Sequence, residues 1–149
     1  MNHMDTRSAP ARLRSLTSWL INQNSVTARN VVTDRLEGTG TRRYHYSMLA
    51  ALEEFGPASQ ADLGRRCGLD RSDVAGAVAD LLDQGWVDRT PDPVDRRRNI
   101  VQLTKAGVKQ LKVLDRIVGE AQDDLLAPLS AAERQQLNRL LTRLADHHA

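Results

Sequence analysis

The sequence predicts a mainly α fold carrying one small β-hairpin, and three observations lead there. Aromatic residues make up only 3% of the 149 residues, so a core must come from Leu, Val, Ile and Ala, a palette that favours helices packed through aliphatic stripes. Apolar residues recur at helical spacing over most of the chain. Between Trp86 and Leu103 the pattern changes to strand composition around a Pro- and Asp-bearing turn. With 40% hydrophobic content, residues 1–149 suffice for a single domain with a modest core.

Pro10 suits the first turn of a helix, and Leu13, Leu16, Leu20, Ala28, Val31 and Leu36 follow at mostly helical spacing. They predict one long helix over residues 10–38, polar in its middle at Asn22-Gln23-Asn24-Ser25 and ended by Gly38-Thr39-Gly40. A second helix, Arg42 to Phe55, carries Tyr46, Leu49, Ala50 and Leu52 and stops at Gly56-Pro57.

Two capped helices come next. Ser59-Gln60-Ala61-Asp62 opens one by the S-x-x-D pattern, and Asp70 opens the other with Asp73 three residues on. A helix of about eight residues, a turn through Cys67-Gly68-Leu69 and a helix of about fourteen ending at Gly85 have helix-turn-helix proportions. Trp86 to Arg89 and Asn99 to Leu103 then form an antiparallel hairpin. Thr104 caps a long helix through Val108, Leu111, Leu114, Ile117, Val118, Ala121 and Leu125 that stops near Pro128. Ser130-Ala131-Ala132-Glu133 is a capping box, with Leu137, Leu140, Leu141 and Leu144 on one face of the last helix.

This order gives a winged helix-turn-helix over about 42–104, between helical arms over about 10–38 and 105–147. It is a layout that reads double-stranded DNA. Net charge is only +2, from 21 basic against 19 acidic residues, so the case for an anionic partner rests on where the charge lies. Arg96, Arg97 and Arg98 form the densest basic run and fall at the hairpin tip, within reach of phosphates or a narrow minor groove. Asp92-Pro93 shapes that turn, and Asp95 is positioned to orient a neighbouring guanidinium. The second helix of the pair enters through Arg71, Ser72 and Asp73, polar groups of the kind a recognition helix turns toward base edges, while Ala75, Gly76 and Ala77 permit close approach. Asp70 and Asp73 also serve as ordinary helix caps. Ser59 and Gln60, opening the first helix of the pair, join the DNA-facing set.

The stretch "GWVDRTPDPVDRRRNIVQLT" from Gly85, behind "ADLGRRCGLDRSDVAGAVADLLDQ", resembles the winged-helix core of the MarR family of transcription regulators. Its hairpin signature, Asp-x-Arg followed by Leu-Thr, is met by Asp95, Arg97, Leu103 and Thr104. The resemblance implies a homodimer whose first and last two helices interlock, a near-palindromic operator, and a wing arginine, Arg97, in the minor groove. It implies repression relieved by a small aromatic or anionic effector held between helical arms and winged helix, near Trp19, Asn22, His45 and Tyr46. Where the recognition helix of such regulators often has Ser or Thr followed by Arg, this chain has Ala75 and Gly76, so the operator cannot be borrowed from relatives. Leu-rich helices at both ends of a small domain argue for the dimer independently, since they have little else to bury against.

Other classes find less support. The lone Cys67 excludes an intrachain disulfide; a thiol-based oxidation sensor would need it ionised and accessible, whereas a Cys before the Gly68 turn reads as a small core residue. No Gly-rich phosphate loop, G-x-S-x-G elbow or His-x-x-x-His pair occurs, His3 and His45 are isolated, and His147-His148 is terminal, so no enzyme, cofactor or metal is expected. The start MNHMDTRSAPAR has no apolar signal block and no run approaches a membrane span, which makes the cytoplasm the expected location. A winged-helix module contacting an acidic protein surface is the alternative the low net charge keeps open.

Overall fold

The computed structural model describes residues 5–149; His3 lies outside them. The described chain divides into two compact units, Thr33–Gly119 and the terminal stretches up to Val32 and from Glu120. In order, a 3-10 turn (Thr6–Ser8) precedes α1 (Ala11–Arg14), α2 (Thr17–Leu36), α3 (Arg43–Phe55), β1 (Ala58–Ser59), α4 (Gln60–Cys67) and α5 (Arg71–Asp83). Strands β2 (Val87–Pro91) and β3 (Asn99–Leu103) follow, then α6 (Lys105–Leu125) and α7 (Ala131–His148).

The central unit is built on two helices with the same buried spacing. His45, Met48, Leu49 and Leu52 face inward from α3, and Val74, Ala77, Val78 and Leu81 from α5. Each set follows i, i+3, i+4, i+7, the stripe a helix needs to present one apolar face. Leu36, Leu63, Val87, Val101, Leu111 and Leu114 complete this core. The inward face of α3 thus includes His45, while Tyr46, expected on the apolar face, is only half-buried.

Capping follows the sequence closely. Ser59 Oγ accepts from the Asp62 amide at 3.2 Å, Asp70 Oδ1 from the Asp73 amide at 2.9 Å, and Ser130 Oγ from the Glu133 amide at 3.2 Å, with Glu133 Oε1 accepting back from Ser130 N at 2.9 Å. Two glycines permit backbone approaches that any side chain would obstruct. A Cβ on Gly64 would lie 2.9 Å from Val74 Cγ2, so α4 and α5 meet nearly backbone to side chain. A Cβ on Gly107 would lie 1.9 Å from the Trp86 carbonyl oxygen. Thr104 ties the same corner, its Oγ1 donating to the Gly85 carbonyl at 2.7 Å and accepting from Gly107 N at 3.0 Å.

Two expectations are corrected. The first predicted helix is broken: at Ser15 the side chain donates to the Arg12 carbonyl at 2.9 Å and Leu16 N bonds to Leu13 O at 2.9 Å. This three-residue pattern is the tighter 3-10 closure and ends α1 before α2 starts. The sheet has three strands in the order β1-β3-β2, not two, because Ala58 and Ser59 pair antiparallel with Val101 and Ile100. β2 also extends to Pro91, opposite Asn99; as an edge strand it tolerates a residue that donates no ladder bond.

Gly107→Ala should therefore lower unfolding free energy by several kcal/mol, of the order of a severe core disruption. Gly119→Ala, also within α6 but with open space around the added Cβ, should raise it by about 0.5 to 1 kcal/mol. Urea unfolding of the two variants checks the contrast.

Candidate nucleic-acid interface

The stripe that α5 buries decides what it shows outward. With Val74, Ala77, Val78 and Leu81 inside, Arg71, Ser72, Asp73, Ala75 and Gly76 all lie on the exposed face. Ala77, expected to ease an external approach, instead packs in the core at 2% exposure. Asp70 is fully engaged in its cap, accepting from the Asp73 amide and, at 3.1 Å, from Ser72 Oγ. The bond from the Asp73 backbone, followed by the Ser72 hydroxyl, holds the Asp70 carboxyl below the usual carboxylate range.

The wing tip is organised by its two aspartates. Asp92 Oδ1 accepts from Val94 N at 2.9 Å, and Asp95 Oδ1 from Arg97 N at 3.1 Å, local turns of a kind Asp favours. The turn is closed by Asp92 N to the Arg98 carbonyl at 2.8 Å and Arg98 N to the Asp95 carbonyl at 2.9 Å. Arg97 Nε reaches the same Asp95 oxygen at 3.3 Å, yet its side chain remains 92% exposed. Arg96 is exposed as well.

Arg98 behaves differently from its neighbours. Its Nη2 donates to Ser59 Oγ at 2.9 Å, bridging the wing to the N-terminus of α4. Ser59 itself is 4% exposed, its hydroxyl taken up by Arg98 and the Asp62 amide. Ser59, Gln60, Arg71, Arg97 and Arg98 consequently line one groove of about 570 Å³, and Arg65, which the sequence reading did not single out, joins them. Four guanidinium groups and no carboxylate border it. Arg65 also pairs with Asp62, whose carboxyl is held below its ordinary range first by the Ser59 hydroxyl and then by Arg65.

The four residues expected around an effector fall in two units. Trp19 and Asn22 belong to the terminal unit, half-buried and exposed respectively; His45 and Tyr46 belong to the central one. Tyr46 Oη donates to Asp115 Oδ1 at 2.7 Å, and burial together with that bond pushes its pKa up to about 12. His45 Nδ1 accepts from Arg42 N at 3.0 Å, so the proton sits on Nε2 and is donated to Asp80 Oδ2, also at 3.0 Å. This tie between the first turn of α3 and the far end of α5 was not visible in the sequence.

Burial pushes the Cys67 thiol up, the opposite of what an oxidation-sensing thiolate requires. Its neighbours turn elsewhere, Arg65 to Asp62 and Arg66 over the Phe55 ring at 3.9 Å. Among the described residues, no group of three or more His, Cys, Asp or Glu side chains is arranged to hold a metal ion, and no helix is long and apolar enough to cross a membrane.

Residues 39–98, which contain the helix-turn-helix and the wing tip, match the model of the MarR family. A "probable transcriptional regulator" from Pseudomonas aeruginosa, known by crystal structure, is 32% identical, with a TM-score of 0.78 over 89% of this chain and 99% of that one. The chain belongs to the MarR family. The PcaV transcriptional regulator of Streptomyces coelicolor, crystallised with its natural ligand, is 29% identical with a TM-score of 0.75 over 95% of this chain and 99% of PcaV. The HTH-type transcriptional repressor NicR of Pseudomonas putida is 34% identical over 98 residues, 66% of this chain; the match spans 62% of NicR's length.

For this MarR-family chain, the depressed Asp70 carboxyl contributes stability that is present above the ordinary carboxylate pKa and lost as pH falls through its lower folded value. Asp70→Asn keeps an N-cap acceptor without the charge. Chemical unfolding from pH 6 down to about pH 3 should then show a shallower acid-side loss in the variant than in the parent.

Proposed function

We propose that the chain is a cytoplasmic transcription regulator that binds a near-palindromic DNA operator as a homodimer and represses until a small effector releases it. The observation that carries this reading is the arginine-lined groove, which joins the exposed start of α5 to the wing. Arg71, Ser72 and Asp73 meet base edges in the major groove, Arg71 through a bidentate contact and Asp73 as an acceptor for cytosine. The small exposed Ala75 and Gly76 let α5 sit deep. Arg97 enters the minor groove, Arg96 holds the adjacent backbone, and Arg98, steadied by Ser59, lies beside Gln60 against a phosphate.

The dimer is supported by apolar surface left uncovered at both ends of the chain. α7 buries none of its residues, and Leu140, Leu141 and Leu144 are each more than 40% exposed, as are Leu16, Leu20 and Ile21. A second copy covers these faces, with residues 10–38 and 105–147 as dimerisation arms around the winged helix of 42–104. Two recognition helices related by a two-fold axis then address half-sites about one DNA turn, roughly 34 Å, apart. Repression and effector release accord with NicR, a named repressor, and with PcaV, crystallised with its ligand.

Electrophoretic mobility shift against the DNA flanking its own gene tests the proposal. Specific binding should weaken steeply with salt, and Arg97→Ala should reduce affinity on all sequences alike. Arg71→Ala should instead relax preference at one base position, at about 1 to 3 kcal/mol. Binding indifferent to salt and to Arg97 would sink the regulator reading. In sedimentation the parent should run as a dimer, and Leu141→Glu combined with Leu144→Glu as a folded monomer with little operator affinity.

A further inference from the structure

The loop between β2 and β3 carries one side chain that the fold does not use. Val94 is 95% exposed, whereas the next most exposed large apolar residue among those described, Phe55, stands at 55% and has the Arg66 guanidinium over its ring. Half-covered apolar residues are ordinary on any surface, since their covered part still stabilises the fold. Val94 has almost no covered part, and a β-branched residue is not one that turns favour.

The loop nevertheless holds Val94 in place. Its amide donates to Asp92 Oδ1 at 2.9 Å, and Pro93 before it has a locked φ. Asp92 N to the Arg98 carbonyl at 2.8 Å and Arg98 N to the Asp95 carbonyl at 2.9 Å close the turn around it. Asp92 and Asp95 are half-buried and each spends an oxygen on an amide of the loop, while Pro93, Val94, Arg96 and Arg97 are exposed. The tip therefore presents an apolar pair beside two guanidinium groups.

Guanidinium groups alone would suit any phosphate or any acidic protein surface, but bare apolar carbons beside them suit a narrower partner. The minor groove of DNA, roughly 6 Å wide, is walled by the C–H edges of deoxyribose between two rows of phosphate. It matches both halves of the tip, charge for the arginines and an apolar wall for a stiff aliphatic side chain.

We infer that Val94 is an apolar wedge that packs on the deoxyribose walls of the minor groove beside Arg97 and sets a preference for A·T pairs there. Guanine alone carries an amino group on the floor of that groove, and a rigid wedge above it meets that group as an obstruction. The inference rests on the regulator reading and deepens it, because it gives the wing a share of the sequence preference and a contact that salt does not screen.

Fluorescence anisotropy of the full chain, on the duplex it binds in the mobility shift, tests the wedge. Val94→Ala should leave Tm and sedimentation unchanged, since the side chain is bare in the free protein, and weaken binding about ten-fold or more through two lost methyl groups at each wing. The slope of affinity against salt should keep its parental value in Val94→Ala and fall in Arg97→Ala. G·C pairs, placed where Arg97→Ala leaves the duplex open to hydroxyl radical, should weaken the parent several-fold. Inosine·cytosine pairs, which lack only the amino group, should restore its affinity, and Val94→Ala should distinguish the duplexes less than the parent does. Parental affinity in Val94→Ala, a shallower salt slope in that variant, or an equal G·C penalty in both chains would overturn the inference. So would relief of repression in cells with operator affinity intact, which would assign the bare valine to a protein partner. A parent that binds no duplex specifically would overturn the regulator reading and the wedge with it, whereas equal binding by parent and Val94→Ala would overturn the wedge alone.

Discussion

The outward face of α5 is dictated by a packing tolerance smaller than a methyl group. Val74 presses on Gly64 where α4 and α5 cross, and a Cβ at that point would require the Val74 side chain or the Leu69 carbonyl to give way. Because the crossing also fixes the rotation of α5 about its axis, Val74, Ala77, Val78 and Leu81 must all point inward together. Arg71, Ser72, Asp73, Ala75 and Gly76 are outside for that reason, not through any property of their own. The exposed face of α5 is the complement of a core stripe.

Polar ties then join the wing to this scaffold. Thr104 binds the end of β3 to Gly85 just past α5, while Ser59 receives Arg98 at the opposite edge of the sheet. β3 lies between β1 and β2, so a displacement of the wing is carried to the start of α4 through two antiparallel pairings. The groove bordered by Arg65, Arg71, Arg97 and Arg98 thus draws on the consecutive helices α4 and α5 and on the wing, which the Arg98–Ser59 bond ties to the start of α4. Within the central unit, His45 adds a further connection: accepting from Arg42 at Nδ1 obliges it to donate to Asp80 at Nε2, and a second proton on the ring would break the first bond.

What could be read from the sequence was whatever is decided within a few residues. The Ser59, Asp70, Thr104 and Ser130 caps are local chemistry, and the helical stripe of α5 declares itself by period alone. β1 escaped because two residues carry no period, and its strand character comes from Val101 and Ile100, some forty positions on. The interruption at Ser15 was hidden because Leu13, Leu16 and Leu20 keep helical spacing across it, while a hydroxyl and one short-range amide bond decide otherwise. Arg65 and the His45–Asp80 tie depend on tertiary neighbours, so no linear pattern announced them.

The contact between Asp95 and Arg97 shows why weak pairing suits such a surface. An exposed ion pair is worth about 0 to 1 kcal/mol, since water screens it and two side chains lose freedom to make it. With Arg97 92% exposed and only its Nε engaged at 3.3 Å, the aspartate steers the guanidinium outward without committing the terminal nitrogens. A buried, bidentate pair in the same place would have to be broken before any phosphate or base edge was met, at a cost of roughly 3 to 5 kcal/mol for separating a buried charge from its partner. The wing therefore gains direction at little energetic cost, and Arg98, whose bond to Ser59 is half-buried, supplies the rigidity that Arg97 does without.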